Sequence, residues 1–417
     1  MIIPRHHYYN LIHRAFKSLP IVALLGARQV GKTTIMKNIP LEGKTVFLNG
    51  QDPDVQVLFT HLHIIVDYLK IHLNRELSGY VLIDEFQFIP QISTMLKLLT
   101  DQHESLKIFC SGSSSLNIFS TLEESLAGRI RIIDVFPLNF AEFIQFYDDQ
   151  LFQIYQEYPV DTQDEIISPE IKLKFKEYLI YGGFPRVALT NSTGEKIDLL
   201  NDIYQTYLLR DVRHYIRNVD VIGFNKLLKL LAAQISNLVN INELSRLSGL
   251  SYKRCEEYLF LLEQMYIIKL LPPFYTNVRK TITKMKKVYF IDTGLRNLIY
   301  NNFNAMDFRV DNGMIFENYV FLELKKKLPG YGSISFFRTP EGTEVDFIMD
   351  ILSNRLAFEV KWKQFDKPVP MRRLQKLAQS IQCQQVYLVN INLNETIEKL
   401  RYLPGYFSGK LTFDSET

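Results

Sequence analysis

The stretch Leu24-Leu25-Gly26-Ala27-Arg28-Gln29-Val30-Gly31-Lys32-Thr33-Thr34 constrains this chain more than any other. The apolar run from Ile21 to Leu25 predicts a buried strand, and Lys32, Thr33 and Thr34 begin a helix. Gly26 opens the loop between them and Gly31 closes it, which is the spacing G-x-x-x-x-G-K-[ST] in its strand–loop–helix context. Glycine lets the backbone curl until its N–H groups converge on phosphate oxygens, and the helix N-terminus adds partial positive charge. Gly26, Gln29, Gly31, Lys32, Thr33 and Thr34 are therefore the candidate nucleotide-binding set. Lys32 is expected to reach the β- and γ-phosphates, and the Thr33 hydroxyl to bind Mg²⁺.

Downstream, Lys44 to Asn49 predicts a strand and residues 55–77 a helix. Tyr80-Val81-Leu82-Ile83-Asp84-Glu85 then reads as a buried parallel strand with two carboxylates at its C-terminal end, where open α/β sheets bind ligands. Asp84 is the candidate Mg²⁺ partner and Glu85 the candidate base for the attacking water. Leu106 to Cys110 is a further strand, ending in Ser111-Gly112-Ser113-Ser114-Ser115. There Ser113 either senses the γ-phosphate or belongs to a serine-rich turn. Arg129 is either an arginine finger for developing phosphoryl charge or a surface arginine.

The 417 residues predict two to four domains, each large enough for its own core. A net charge of +3 argues for no particular partner, so local clusters must carry that argument. Cys110, Cys255 and Cys383 lack metal-ligand spacing and fit a reducing cytoplasm. No apolar run reaches transmembrane length, so no membrane association is expected.

The segments GARQVGKTT, VLIDEFQ, CSGSSS, SLAGR and PLNFAEF occur in this order. They resemble the bacterial and archaeal AAA-type ATPases, more narrowly the group with a C-terminal domain of unknown function of the DUF4143 type. The resemblance continues through Tyr181-Gly182-Gly183-Phe184-Pro185, Lys287 to Leu295, and Glu344-Val345-Asp346-Phe347, covering nearly the whole chain. It implies ATP and Mg²⁺ as cofactors. A homo-oligomer, as a hexameric ring, is the expected assembly.

Residues 150–170 read as an acidic, turn-containing connection, and 170–235 as a helical lid in which Arg210 contacts nucleotide, a neighbouring subunit or a salt-bridge partner. Ile241 to Ser248, with Leu244 and Leu247 inside, and Tyr252 to Gln264 predict two helices followed by a strand from Tyr266 to Leu271. That is a winged-helix pattern, a motif that serves DNA or protein recognition. Lys253 and Arg254 lie at the start of the candidate recognition helix. Between Arg279 and Lys287 five of nine residues are basic and none is acidic. Lys284, Lys286 and Lys287 would line a wing that tracks a phosphate backbone, or else a solvated loop.

In the last hundred residues, Met314 to Leu324 predicts a helix carrying Glu317. Strands follow at Glu344–Met349 and Leu356–Lys361, joined by a turn at Ser353-Asn354, then a helix from Pro370 to Ile381 and a strand at Gln385–Asn390. Alternation puts Glu359 and Lys361 on one face. This arrangement resembles the PD-(D/E)xK nuclease fold of restriction enzymes and archaeal Holliday-junction resolvases, although Val345 replaces the usual proline. Carried over by position, Glu317, Asp346 and Glu359 become metal ligands and Lys361 a catalytic residue. Trp362, Lys363, Lys367, Arg372, Arg373 and Lys376 form a basic rim.

The expected fold is an α/β multidomain chain. It has a P-loop AAA-type ATPase core at 1–150, a helical lid at 151–235, a winged helix at 236–300 and a C-terminal α/β PD-(D/E)xK nuclease-like domain at 301–417. The leading functional expectation is an ATP-hydrolysing, DNA-binding protein acting on branched DNA such as a Holliday junction in recombination or repair. Its rival is a nucleotide-dependent regulatory switch whose C-terminal domains bind proteins.

Overall fold

The structure, a computed structural model, describes residues 3–113, 125–209, 220–275, 285–339 and 341–413. Ser114, Arg210 and Lys284 lie outside the described residues. The chain forms two compact units, Met1–Phe136 with Gln264–Tyr266 and Pro137–Glu263 with Ile267–Thr417.

In the first unit, α1 (His6–Phe16) precedes β1 (Ile21–Gly26) and α2 (Lys32–Asn38). Then come β2 (Thr45–Asn49), α3 (Pro53–Leu58), α4 (Leu62–His72), β3 (Gly79–Asp84), α5 (Ile92–Gln102), β4 (Leu106–Ser113) and β5 (Ile130–Asp134). The five strands are all parallel, in the order β2-β3-β4-β1-β5. Parallel pairing requires crossovers that cover both faces, so β1 is buried along its whole length. The single helix expected over 55–77 is two helices. Phe59 and Ile65 both enter the core, yet on one continuous helix they would point about 120° apart.

Register decides where the motifs meet. Gly26 is level with Ser113 across β1 and β4, and Asp84 with Ser111 across β3 and β4. The P-loop, the acidic pair and the serine-rich strand end therefore share the C-terminal edge of the sheet.

The second unit begins with α6 (Phe140–Tyr147), α7 (Asp149–Glu157), α8 (Pro169–Tyr181), α9 (Pro185–Ala188) and α10 (Thr193–Ile203), continued by a π-helical turn over Tyr204–Leu209. The expected connection at 150–170 thus contains a helix: Asp148 caps α7 by accepting from Leu151 N at 2.8 Å, and Leu151 and Tyr155 are buried. Helix α6, assigned by sequence to the ATPase core, belongs to the second unit, because Phe140 packs edge-on against Phe175 and Tyr178 of α8 at 5.2 and 5.8 Å.

Next come α11 (Val221–Ala233), α12 (Ile241–Ser248), α13 (Tyr252–Gln264), β6 (Ile268–Leu271) and β7 (Lys287–Phe290). β6 and β7 pair antiparallel, and Leu238, between α11 and α12, bridges Lys287. Leu244 is buried as expected, but Leu247 is 45% exposed. It lies three positions on, at the edge of the buried stripe of α12.

The chain ends with α14 (Thr293–Tyr300), α15 (Asn312–Lys327), β8 (Ser333–Arg338), β9 (Glu344–Ile351), β10 (Asn354–Val360), α16 (Arg372–Ser380), β11 (Gln385–Asn390), β12 (Thr396–Ile397) and β13 (Leu400–Pro404). The sheet order is β12-β13-β11-β10-β9-β8; β8, β9 and β10 form an antiparallel meander, and β11 runs parallel to β10. The β9–β10 turn sits one residue earlier than expected, with Leu352 and Ser353 at φ 51° and 70°, the left-handed pair that tight hairpins require. No helix among the described residues is long and apolar enough to cross a membrane.

One buried carboxylate fastens two distant stretches of this unit. Asp292 is 3% exposed and accepts from Leu295 N at 2.8 Å, capping α14, and from Gly183 N at 2.7 Å. Burial pushes its pKa up to about 6, against the restraining pull of the N–H donors. Replacing it by Ala leaves both donors buried without an acceptor. Asp292→Ala should cost about 2–4 kcal/mol, read as a lowered urea midpoint; a change below about 0.5 kcal/mol would assign the junction to apolar packing alone.

Candidate functional site

In the first unit the P-loop backbone is shaped by Gly31, whose φ of 95° no residue with a Cβ adopts cheaply. Lys32 is 6% exposed and donates to the carbonyls of Gly26 at 2.9 Å and Ala27 at 2.6 Å. Burial lowers its pKa to about 8, although Glu85 and Asp84 pull the other way. Its charge is thus held by neutral carbonyls, with the two carboxylates acting from further off. Thr34 and Gln29 are exposed at the loop and helix start. Behind the loop, the buried Arg5 donates to Val30 O at 3.1 Å and Phe136 O at 3.0 Å, tying the P-loop to the end of β5.

Asp84 joins three elements. Thr33 Oγ1 donates to its Oδ2 at 2.8 Å, Ser111 Oγ donates to Oδ1, and Glu85 N donates to Oδ1 at 3.2 Å. The Thr33 hydroxyl and Asp84 carboxylate, the two groups expected to hold Mg²⁺, therefore converge, and their chemistry fits a hard cation. Glu85 takes a left-handed conformation at φ 51°, which turns it out of the strand direction at a cost of about 1–3 kcal/mol. Its carboxylate accepts from the Gln87 amide, and the same amide nitrogen donates to Ser113 Oγ at 3.0 Å. Gln87 Oε1 is buried without a hydrogen-bond partner among the described residues. Gly112 is required here, because a Cβ on it would lie 2.4 Å from Gln87 Oε1.

Gln87 and Arg5 escaped the sequence reading, which held Ser111 only as one of the hydroxyl run ending β4. Gln87 had a signal, as the Gln two positions after Glu85. Arg5 had none, since its partners are 25 and 131 residues away.

Arg129 is placed elsewhere. Its carbonyl accepts from Ile21 N at 3.1 Å, which sets it at the N-terminal edge of the sheet, about 17 Å of strand from the P-loop. Its guanidinium pairs with Asp101 at 2.6 and 3.2 Å. The expected finger cannot reach the nucleotide of its own protomer, because parallel strands put the two ends of β1 on opposite edges.

In the second unit, strand pairing sets Phe358 opposite Phe347, so Glu359 and Asp346 are neighbours on one face. Asp346 Oδ2 accepts from Val360 N at 2.8 Å, and Lys361 pairs with Glu359 at 2.5 Å. Glu317 of α15 approaches the same point. Burial, then the Asp346 charge, pushes Glu317 up to about 8 and Glu359 up to about 7.

The cation at this point is Lys287. It is 4% exposed, and its Nζ lies 3.0 Å from Glu317 Oε1, against a Glu344 carboxylate oxygen, and 3.8 Å from Asp346 Oδ1. Tyr289 OH adds a bond to Glu317 Oε1 at 2.7 Å. Lys287 therefore does not line an exposed wing; β-strand alternation turns it and Tyr289 inward together. Among the described residues no group of three or more His, Cys, Asp or Glu is spaced to hold a metal ion. The metal cage expected of Glu317, Asp346 and Glu359 does not fit this arrangement, because an ammonium stands between the carboxylates.

Of the remaining DNA candidates, Lys253 is exposed, whereas Arg254 is half-buried and pairs with Glu257 at 2.9 Å. Lys286 is half-buried, with its carbonyl accepting from Val239 N at 2.8 Å. Lys363, Lys367, Arg372, Arg373 and Lys376 are exposed, and Trp362 packs edge-on to Phe316 at 5.4 Å.

Comparison with known proteins matches residues 18–144 to the AAA domain family. Residues 172–305 match a domain of unknown function, DUF8612, and residues 312–403 another, DUF4143. The first segment is thus similar to AAA domains. The chain is 27% identical over 391 residues to the uncharacterized protein MJ1544 of Methanocaldococcus jannaschii, covering 91% of this chain and 84% of that protein. It is 24% identical to the uncharacterized protein Rv2008c of Mycobacterium tuberculosis, covering 87% and 74%. Among solved structures it is similar to the Walker-type ATPase PABY2304 of Pyrococcus abyssi, with a TM-score of 0.48 at 14% identity over 72% of this chain and 96% of that one.

The lowered pKa of Lys32 has a measurable consequence. Below about pH 8 the lysine already carries the charge that phosphates need; above it, binding must first recover a proton. ATP affinity should hold steady up to about pH 8 and then fall by up to tenfold per pH unit. Titration calorimetry across pH 6.5–9.5 (a range of about three units around that value) checks this, and a flat profile would remove Lys32 from phosphate contact.

Proposed function

We propose that this chain hydrolyses ATP at the C-terminal edge of its parallel sheet and uses its second unit to hold DNA. The observation that carries the first half is Lys32, a buried ammonium whose partners are two P-loop carbonyls. The β- and γ-phosphates would replace those neutral partners with anionic ones, a gain that water-exposed lysines do not obtain. Thr33 and Asp84 would hold Mg²⁺, which when bound neutralises charge on the phosphate oxygens. Glu85 accepts the proton of the attacking water. Gln87 aims that carboxylate and at the same time links it to Ser113, the residue level with the P-loop glycine Gly26. Any phosphate contact by Arg129 requires the nucleotide of a second protomer, in keeping with a homo-oligomer.

The DNA half rests on arrangement and exposure. Helices α11, α12 and α13, the Leu238 bridge and the β6–β7 hairpin follow the order of a winged helix, with α13 in the recognition position. Tyr252 is 46% exposed at its start and Lys253 is exposed beside it. The order α15, β8–β9–β10, α16, β11 follows that of the nuclease-like folds and supports DNA, branched DNA included, as the ligand of the C-terminal domain. The buried position of Lys287 and the Arg254–Glu257 pair favour a second reading, a nucleotide switch whose C-terminal domains capture a protein.

Two experiments test the two halves of the proposal, and the second separates the readings. Lys32→Ala should abolish nucleotide binding, while Glu85→Gln should keep it and lower kcat by about 10²-fold or more. Gln87→Ala should lower kcat with little change in KM, since it positions Glu85 without touching phosphate; parental turnover in both Glu85→Gln and Gln87→Ala would place the base elsewhere. For DNA, gel shifts with duplex, single-stranded, forked and four-way substrates should show weaker binding by Lys253→Glu at low salt. No shift with any substrate would favour protein capture.

A further inference from the structure

We infer that Lys287 is the resident cation of the C-terminal carboxylate cluster and that it takes the place of a divalent metal there. This concerns the nuclease-like reading of the second unit and is independent of ATP hydrolysis in the first.

Four carboxylates converge on the face shared by α15, β9 and β10. They are Glu317, Glu344, Asp346 and Glu359. Like charges at such distances require cations between them or must take up protons. Two ammonium groups are supplied, and they differ in kind. Lys361 pairs with Glu359 from the rim, with its side chain 47% exposed. Lys287 enters from a different element and is 5% exposed along its side chain, within reach of three of the four acids.

The backbone around Lys287 is pinned on both sides. Leu271 pairs with it across β6, and Leu238 bridges it from the other side. Val288 N donates to Asn237 O at 3.1 Å, and Ser236 N donates to Val288 O at 2.8 Å. The ammonium is thus tethered to its anions, unlike a dissolved cation that must pay entropy to arrive. Burial works against its charge, but Glu317, Asp346 and Glu344 together outweigh it, and its pKa lies above that of a free lysine.

A divalent ion and this ammonium cannot share the point. Magnesium needs carboxylate oxygens at about 2.0–2.1 Å in octahedral array. The Nζ–oxygen separations of 3.0 and 3.8 Å to Glu317 and Asp346 fix the centre of the cluster on nitrogen. Tyr289 takes a further lone pair of the same Glu317 oxygen. Removing the ammonium while keeping the acids leaves oxygen ligands facing one another across a vacated centre, and a divalent cation is the remedy. The C-terminal domain of the natural chain is accordingly metal-independent, and it binds its ligand without hydrolysing a phosphodiester.

The test uses the full chain without nucleotide, with Mn²⁺ as the probe. Wild type, Lys287→Met and Lys287→Met/Asp346→Asn are melted with Mn²⁺ and with a chelator. Any Mn²⁺ response of wild type should equal that of the double variant, since both keep Thr33 and Asp84. Lys287→Met should melt several degrees lower in chelator and recover with Mn²⁺, and the double variant should lose that recovery. Equal Mn²⁺ responses in wild type and Lys287→Met, or no response in Lys287→Met, would overturn the inference. If Lys287→Met does not fold, wild type and Asp346→Asn decide: both keep Thr33 and Asp84 and should lower the free Mn²⁺ electron paramagnetic signal equally, and a larger loss in wild type would show a metal seated despite Lys287. Failure of ATP turnover would refute the proposed hydrolysis and leave these results unchanged.

Discussion

A charge removed from water must find its opposite, and two of the buried lysines, Lys32 and Lys287, meet that constraint in opposite ways. Lys32 is surrounded by backbone carbonyls, and burial wins, so its ammonium is easily deprotonated. Lys287 is surrounded by carboxylates, and they win, so its ammonium is held more firmly than in water. The first is a cation still short of its anions; the second already has them. Recognition of a polyanion suits the former, and a fixed structural role suits the latter.

The same contrast orders the sites around them. In the first unit Asp84 accepts from Thr33, Ser111 and the Glu85 backbone, and Glu85 is held by Gln87, so each acid is aimed by neutral donors. Neutral donors orient a carboxylate without cancelling its charge, which leaves it available to a cation or a water proton. In the second unit Lys287 and Lys361 pair directly with the clustered acids, so these carboxylates already face cations.

The boundaries of the second unit follow from aromatic packing. Phe140, Phe175, Tyr178 and Tyr319 pack edge to face, and Tyr406 closes on Phe175 at 5.9 Å. Rings contributed from residue 140 to residue 406 make one core, which is why segments that read as ATPase end, lid and nuclease-like domain are compacted together.

Local chemistry by itself determined the P-loop, the acidic strand end and most strands, because each depends on spacing within about ten residues. The apolar run into Gly26, the Asp84-Glu85 pair and the alternation at Glu359 and Lys361 all dictate their own conformation. Tertiary structure alone decided which charges meet. Arg129 reads as either an arginine finger or a surface arginine, and the structure sets it on the far edge of the sheet, paired with Asp101. Lys287 reads as one of five wing cations, yet strand pairing with Leu271 and Leu238 turns it into the acids of another element. The partner of a long charged side chain is set by register and topology over tens of residues, and no local pattern encodes that distance.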